Sequence, residues 1–255
     1  MSGAPGLFWM NFAAAESEGS HWRPHRETSH RRAHYEKRRT GAAHAAAAPG
    51  NEASGRGLVG TGDPVYRRYR RGRPGPLAGP VVAACVVLPQ DFDLLGVDDS
   101  KKLSEKRREH LYSRILERAV AWGIGRRGPE VIDEINILEA TKLAMLDAAA
   151  AADEMLREKD GSTMEHVLID ALRLEALDKP QTSIIRGDSS SVSIAAASIV
   201  AKVTRDRRMI KYAEEYPGYG FERNKGYGTK AHYEGIREHG VTPIHRRNFL
   251  KNTGY

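Results

Sequence analysis

The sequence predicts an α/β fold for residues 76–255, and two observations support this class. Short runs of β-branched and apolar residues alternate with amphipathic helical patterns of about 10 to 20 residues. A chain of 255 residues also has room for one domain with a substantial core, plus a tail or a second small module. Residues 1–75 lack such periodicity and are rich in Arg, His and Ala. We therefore expect one folded domain that follows an aperiodic segment.

The first half of this domain contains two strands and two helices. Strands are predicted at 77–88 (LAGPVVAACVVL) and around 119–125. Between them, Ser104 is a typical N-cap for a helix with Leu111, Ile115 and Leu116 at helical spacing. A longer helix is predicted over 137–159, with these core positions: Leu143, Ala144, Leu146 and Met155.

The second half begins with two short buried strands at 166–170 and 182–187. A helix follows from Val192, and its first half is nearly all small or apolar, so it should be deeply buried. Residues 216–229 form a Gly-rich loop, and 230–239 a last amphipathic helix.

Composition excludes several classes of protein. Cys85 is the single cysteine of the chain, so no intramolecular disulfide can form; it lies in an apolar run and is expected to pack in the core. No apolar stretch reaches the roughly 20 residues that a membrane span needs. We expect a cytoplasmic protein without a membrane partner, and a monomer.

The excess of positive over negative charge is confined to one end of the chain. Residues 1–75 hold 13 basic and 6 acidic residues, whereas residues 76–255 hold 27 of each. The whole net charge of +7 therefore lies in the first segment, so it says little about the partner of the folded domain.

Seven motifs occur in order along residues 76–249. They are 76–80 (PLAGP), 98–103 (DDSKKL), 136–141 (NILEAT), 168–170 (LID), 187–188 (GD), 193–206 (SIAAASIVAKVTRD) and 225–229 (KGYGT). Each alone is weak, but together the region resembles bacterial type 2 ribonuclease H. The resemblance implies the ribonuclease H fold: a mixed five-stranded sheet flanked by helices, a helical C-terminal part, and a first strand at about 65–75.

The resemblance also implies an activity. Members of the family use four carboxylates to hold two divalent cations, Mn²⁺ or Mg²⁺, for in-line hydrolysis of a phosphodiester. The expected substrates are the RNA strand of RNA–DNA hybrids and ribonucleotides embedded in DNA. The products would carry 5′-phosphate and 3′-hydroxyl ends, and the expected role is in DNA replication and repair.

The metal carboxylates expected in this half of the domain are Asp170 and Asp188. A strand-end turn and a helix cap are the simpler structural explanations of these two aspartates. Asp206 is expected only to support the structure, as a solvated ion pair with a neighbouring arginine.

Four further residues are expected at the substrate. Lys101 and Lys102 suit phosphate contacts, although a solvated loop would also explain them. Tyr227, between glycines, matches the family's tyrosine that stacks on the sugar at the RNA–DNA junction, or else packs in a turn. Gly75 closes the family's Gly-Arg-Gly loop, which senses the ribose 2′-hydroxyl.

The sequence departs from the family directly before this loop. The family's first motif reads DEVGRGPLAGP, whereas residues 70–80 read RRGRPGPLAGP. The Asp and Glu positions of the family thus fall on Arg70 and Arg71, and the arginine of the loop falls on Pro74.

A shifted reading frame would explain this departure. Arginine codons of the CGN type, read one base later, can encode Asp or Glu, and residues 66–74 read this way can yield IAGTDEVGR. The same shift accounts for 12 Arg against 1 Lys in residues 1–75. We therefore favour an out-of-frame segment over a disordered basic tail. Taken literally, the chain would instead bind hybrids without cutting them, or fail to fold.

Overall fold

The computed structural model describes residues 75–94, 96–97, 100–185 and 187–251. Its elements, in chain order, are β1 (Val81–Val87), α1 (Glu105–Arg118), β2 (Ala121–Arg127), α2 (Pro129–Asp160), β3 (Val167–Asp170), β4 (Gln181–Ile184), α3 (Gly187–Ser190), α4 (Val192–Glu215), α5 (Phe221–Asn224), α6 (Lys230–His239) and α7 (Arg247–Leu250). This alternation confirms the predicted α/β class.

The described strands form two pairs. β1 and β2 are antiparallel, with Val81 opposite Arg127, and β3 and β4 are parallel, with Val167 opposite Gln181. Each pair is a separate two-stranded sheet within the described part of the chain. The first strand is expected at about 65–75, and only its last position, residue 75, is among the described residues. The expected out-of-frame segment likewise lies outside them, except for residue 75.

Strand β1 is buried on both faces. Its residues alternate between two cores, as the two-residue period of a strand requires. One face packs against α2 and β3 through Val81, Ala83, Cys85 and Val87. The other packs against α1 and α4 through Val82, Ala84 and Val86. The β1–β2 sheet is therefore the middle layer between helices.

Helix α2 approaches β2 unusually closely, and glycines in the strand permit this. A Cβ atom on Gly125 would lie 1.9 Å from the carbonyl oxygen of Ala144, and one on Gly123 would lie 2.1 Å from that of Ala148. Both alanines are fully buried. Small residues on both elements therefore fix the distance between helix and strand.

Helix α2 begins earlier than the sequence predicts. It starts at Pro129 and contains a kink at Asn136, whose φ of 72° is not helical. The Asn136 side chain accepts hydrogen bonds from the N–H groups of Leu138 and Glu139 at 2.9 and 3.2 Å. It thus caps the second segment, which is the part that the 137–159 pattern predicted.

Several local predictions are confirmed. Ser104 caps α1 by accepting a hydrogen bond from the N–H of Arg107. The first half of α4 is buried, and α6 has the predicted bounds. Leu143 was wrongly placed in the core: it is 37% exposed, because it points away from the face of α2 that carries Ala144.

Cys85 lies in the core as expected, fully buried. Its thiol donates to the Met164 sulfur at 3.6 Å. Burial, with a smaller contribution from the charge of Asp153, raises the pKa of the Cys85 thiol, so the group stays neutral. None of the helices in the described ranges is long and apolar enough to cross a membrane.

The contact between α2 and β2 is testable. Gly125→Ala forces a methyl group against the helix backbone, and we expect it to lower the free energy of unfolding by about 1–3 kcal/mol or more. Gly161→Asn is the control, because nothing lies within 4 Å of a Cβ there and Asn tolerates the left-handed conformation. Urea unfolding of both variants measures the difference, and equal stabilities would contradict the account.

Candidate active site

Two aspartates meet at one end of the β3–β4 sheet. Because β3 and β4 are parallel, their carboxyl ends share one edge of the sheet, and Asp170 is the last residue of β3. The N–H of Gly187 donates a hydrogen bond of 2.9 Å to Oδ1 of Asp170. Asp188 is the next residue, in the single turn of α3. This bond holds the carboxylate of Asp170 against the backbone of the residue that precedes Asp188.

The loop before α1 brings a positive charge to this place. Asp188 is buried, and a buried carboxylate is costly unless positive charge or hydrogen-bond donors compensate it. The Lys101 Nζ lies 3.3 Å from Oδ2 of Asp188. Lys102 is exposed beside it. Lys101, expected at the substrate phosphate, therefore contacts a carboxylate in this structure.

The described part of the chain offers the right kind of ligand for a divalent cation, but too few of them. Carboxylate oxygens are the ligands that Mg²⁺ and Mn²⁺ prefer, and Asp170 and Asp188 supply them. Within the described ranges, however, there is no group of three or more His, Cys, Asp or Glu side chains that could hold a metal ion. The two further positions implied by the resemblance, Arg70 and Arg71, lie outside these ranges.

Asp206 is buried rather than solvated, which corrects the expected exposed ion pair. It accepts hydrogen bonds from Lys202 at 2.5 and 2.6 Å, and Arg108 lies 3.9 Å away. Burial lowers the pKa of Lys202, against the opposing effect of the Asp206 carboxylate. The neighbouring Arg207 pairs with Glu109 instead. Asp206 thus joins α4 to α1 through Arg108.

Buried Arg205 clamps the segment that leads into β1. It donates to the carbonyl oxygens of Pro80 and Ala78 at 3.2 and 3.3 Å, and to that of Lys225 at 3.0 Å. Arg246, fully buried, donates to the carbonyl oxygen of Gly79 at 2.9 Å. The two guanidinium groups thereby donate hydrogen bonds to backbone carbonyl oxygens that lie outside the described strands.

Sequence reasoning missed this clamp. Its signal was present: Ala201, Arg205 and Met209 are four residues apart, so Arg205 lies on the buried face of α4. The run of charged residues from 205 to 208 suggests a solvated face instead.

The Gly-rich loop of Tyr227 packs against the same segment. Tyr227 forms an isolated antiparallel bridge with Pro76, which directly follows the buried Gly75. The Arg205 guanidinium lies 5.8 Å from the centre of the half-buried Tyr227 ring. Gly226 has a φ of 84°, and a Cβ there would lie 2.4 Å from the carbonyl oxygen of Ala78. Tyr227 therefore lies beside Pro76, the residue that follows Gly75 in sequence.

Comparison with known proteins identifies the family. The family model for ribonuclease HII matches residues 72–252. A ribonuclease HII from Leuconostoc mesenteroides is 56% identical over 175 residues, which are 69% of this chain and 66% of that protein. The chain thus spans slightly less than two thirds of the length of this relative.

Solved structures agree in fold. The ribonuclease H2 of Pyrococcus horikoshii matches with a TM-score of 0.53 and 26% identity over 68% of this chain and 88% of that one. A Bst ribonuclease HIII in complex with Mn²⁺ matches with a TM-score of 0.56 and 19% identity over 80% of this chain and 70% of that one. The family model, which covers more than half of the chain, shows that the chain belongs to the ribonuclease HII family.

Proposed function

We propose that this chain carries the scaffold of an endonuclease that hydrolyses the RNA strand of RNA–DNA hybrids and cuts at ribonucleotides embedded in DNA. The products would be 5′-phosphate and 3′-hydroxyl ends. The observation that supports the proposal is the hydrogen bond from the N–H of Gly187 to Asp170, because Gly187 directly precedes Asp188 in the chain. The family match supports the reaction class.

In this proposal Asp170 and Asp188 would hold a divalent cation, which when bound supplies an activated water and charge stabilisation at the leaving oxygen. The Mn²⁺ in the Bst ribonuclease HIII supports such a cation here. Lys101 contacts Asp188 and has a side chain that is 40% exposed, so it would also contact an incoming phosphate. Lys102 would add a second phosphate contact from the same loop.

Recognition of the ribonucleotide would belong to Tyr227 and Gly75. Tyr227 would stack on the sugar at the RNA–DNA junction, and Gly75 would belong to the loop that senses the 2′-hydroxyl. The bridge between Tyr227 and Pro76 supports a shared role, because it keeps both residues within one small surface.

The chain as written lacks half of the expected carboxylates. With arginine at positions 70 and 71, the local charge differs by about +4 from that of the family motif, and arginine cannot lose its proton to relieve this. The two arginine side chains would then repel the two divalent metal ions that the mechanism needs. We therefore propose that the unaltered chain is at best a hybrid-binding protein that does not cut.

The first functional prediction compares two full-length chains. The "restored chain" carries Arg70→Asp, Arg71→Glu, Gly72→Val, Arg73→Gly and Pro74→Arg. We expect it to cut a duplex that contains one ribonucleotide in the presence of Mg²⁺ or Mn²⁺, whereas the chain as written gives no appreciable cleavage. Gel analysis of a labelled duplex measures the products.

Circular dichroism of both chains is the control for folding. Salt-dependent duplex binding by the chain as written, without cleavage, would agree with the loss of metal ligands alone. Robust metal-dependent cutting by the unaltered chain would contradict the roles assigned to positions 70 and 71.

The second functional prediction concerns Tyr227. In the restored chain, Tyr227→Ala should lower kcat/KM at a single ribonucleotide by roughly 5- to 100-fold, because a stacking contact is lost. Tyr227→Phe keeps the ring and should retain most of the activity. Steady-state cleavage rates measure both variants, and an Ala variant as active as the Phe variant would remove Tyr227 from the site.

A further inference from the structure

Two buried histidines form a direct pair beneath the Tyr227 loop. His232 in α6 and His245 before α7 are 0% and 2% exposed, and their Nε2 atoms are 3.1 Å apart. The rings of Tyr219 and Phe221 pack around both. One of the two nitrogens must donate and the other accept, so the proton positions matter.

The backbone at the two ends of the pair determines these positions. At one end, the N–H and the hydroxyl of Thr242 lie 2.9 and 2.8 Å from Nδ1 of His245. The hydroxyl can donate or accept, but the N–H can only donate, so this nitrogen carries no proton. At the other end, Nδ1 of His232 lies 3.0 Å from the carbonyl oxygen of Tyr227, which can only accept. His245 must therefore carry its proton on Nε2 and donate it to Nε2 of His232, while His232 donates from Nδ1.

The chain of hydrogen bonds thus has one direction and ends on Tyr227. Glycines flank Tyr227 on both sides, and Gly226 has a positive φ of 84°. Such a loop has several accessible backbone conformations, and hydrogen bonds to the Tyr227 carbonyl select among them. The N–H of Thr229 also donates to this carbonyl, at 2.8 Å, but it belongs to the same loop. His232 is the donor from the rigid helix α6.

We propose that His232 is a positioning residue for Tyr227, and that His245 fixes the tautomer in which His232 can hold the Tyr227 carbonyl. The proposal rests on the proposed function, in which Tyr227 contacts the ribonucleotide. The two histidines do not touch the substrate and would act on it only through Tyr227.

The surroundings keep the pair neutral. Burial lowers the pKa of His232, and burial together with the charge of His232 lowers the pKa of His245 to about 4. Of the ionisable groups around the pair, Tyr219 has its pKa raised by burial, and His239 contacts the edge of its ring. The Arg246 guanidinium, next in sequence, is directed to the carbonyl oxygen of Gly79. A second proton on His232 would set two N–H groups against each other at 3.1 Å, and a second proton on His245 would face the N–H of Thr242 at 2.9 Å.

The first experiment tests the proton positions independently of any activity. Two-bond ¹⁵N–¹H correlation spectra of the full chain report the tautomer of each histidine. We expect the Nδ1–H form for His232 and the Nε2–H form for His245, with His245 neutral down to about pH 4. The opposite tautomer at either residue, or a charged pair at pH 7, would overturn the proposal.

The second experiment tests positioning in the restored chain. His232→Phe removes the donor to Tyr227, whereas His232→Asn keeps an amide N–H close to the place of Nδ1. We expect His232→Phe to lower kcat/KM at a single ribonucleotide about tenfold, as for one lost hydrogen bond, and His232→Asn to recover most of it. His239→Asn, on the same helix but largely exposed, is the matched control and should leave the rate unchanged.

The outcomes separate this proposal from the proposed function. If Tyr227→Ala lowers kcat/KM while His232→Phe and His232→Asn behave alike, the positioning role is overturned and the function of Tyr227 stands. If Tyr227→Ala has no effect, the proposed function of Tyr227 fails, although the tautomers can still be as expected. An effect of His232→Phe with rescue by His232→Asn supports the positioning role.

Discussion

The architecture around the candidate site depends on the buried guanidinium of Arg205. It donates to three backbone carbonyls, two in the segment before β1 and one, of Lys225, in the loop before Tyr227. A buried charge is tolerated only when its hydrogen-bonding groups are paired, so removing these contacts would leave α4 with an uncompensated cation in the core. The Arg205 side chain thereby connects three parts of the molecule: helix α4, the segment before β1, and the Gly-rich loop. The sequence departs from its family at positions 70–74, which precede the segment before β1 in the chain.

Charge balance explains why that departure matters. In the described part, Asp170 and Asp188 form a small negative site, and Lys101 already balances Asp188 at 3.3 Å. Two more carboxylates would make the site negative enough to attract divalent cations, whereas Arg70 and Arg71 would make it positive. The packing of the described α/β layers is built from residues after 75, whereas the proposed activity requires positions 70–74 together with Asp170 and Asp188.

Sequence patterns predicted those parts of the molecule that local periodicity and strand ends determine. Helix Lys230–His239 was predicted with its bounds, since a capping threonine, an amphipathic period and a terminal glycine all agree there. The early start of α2 was missed because Asn136 interrupts the period. Burial of Arg205 and the pairing of His232 with His245 were missed because they arise from tertiary contacts between residues far apart in sequence. Charged and imidazole side chains give no periodic signal for such contacts.

We propose that Asp170 and Asp188 are half of a cation site whose other half is lost at positions 70 and 71. Mn²⁺ binding, followed by electron paramagnetic resonance, tests it most directly and requires no turnover. The account predicts that the restored chain binds two Mn²⁺ ions, that Asp188→Asn in this chain weakens binding, and that the chain as written binds at most one ion, at least about tenfold more weakly. Binding of two ions with equal affinity by the chain as written, or no effect of Asp188→Asn, would contradict it.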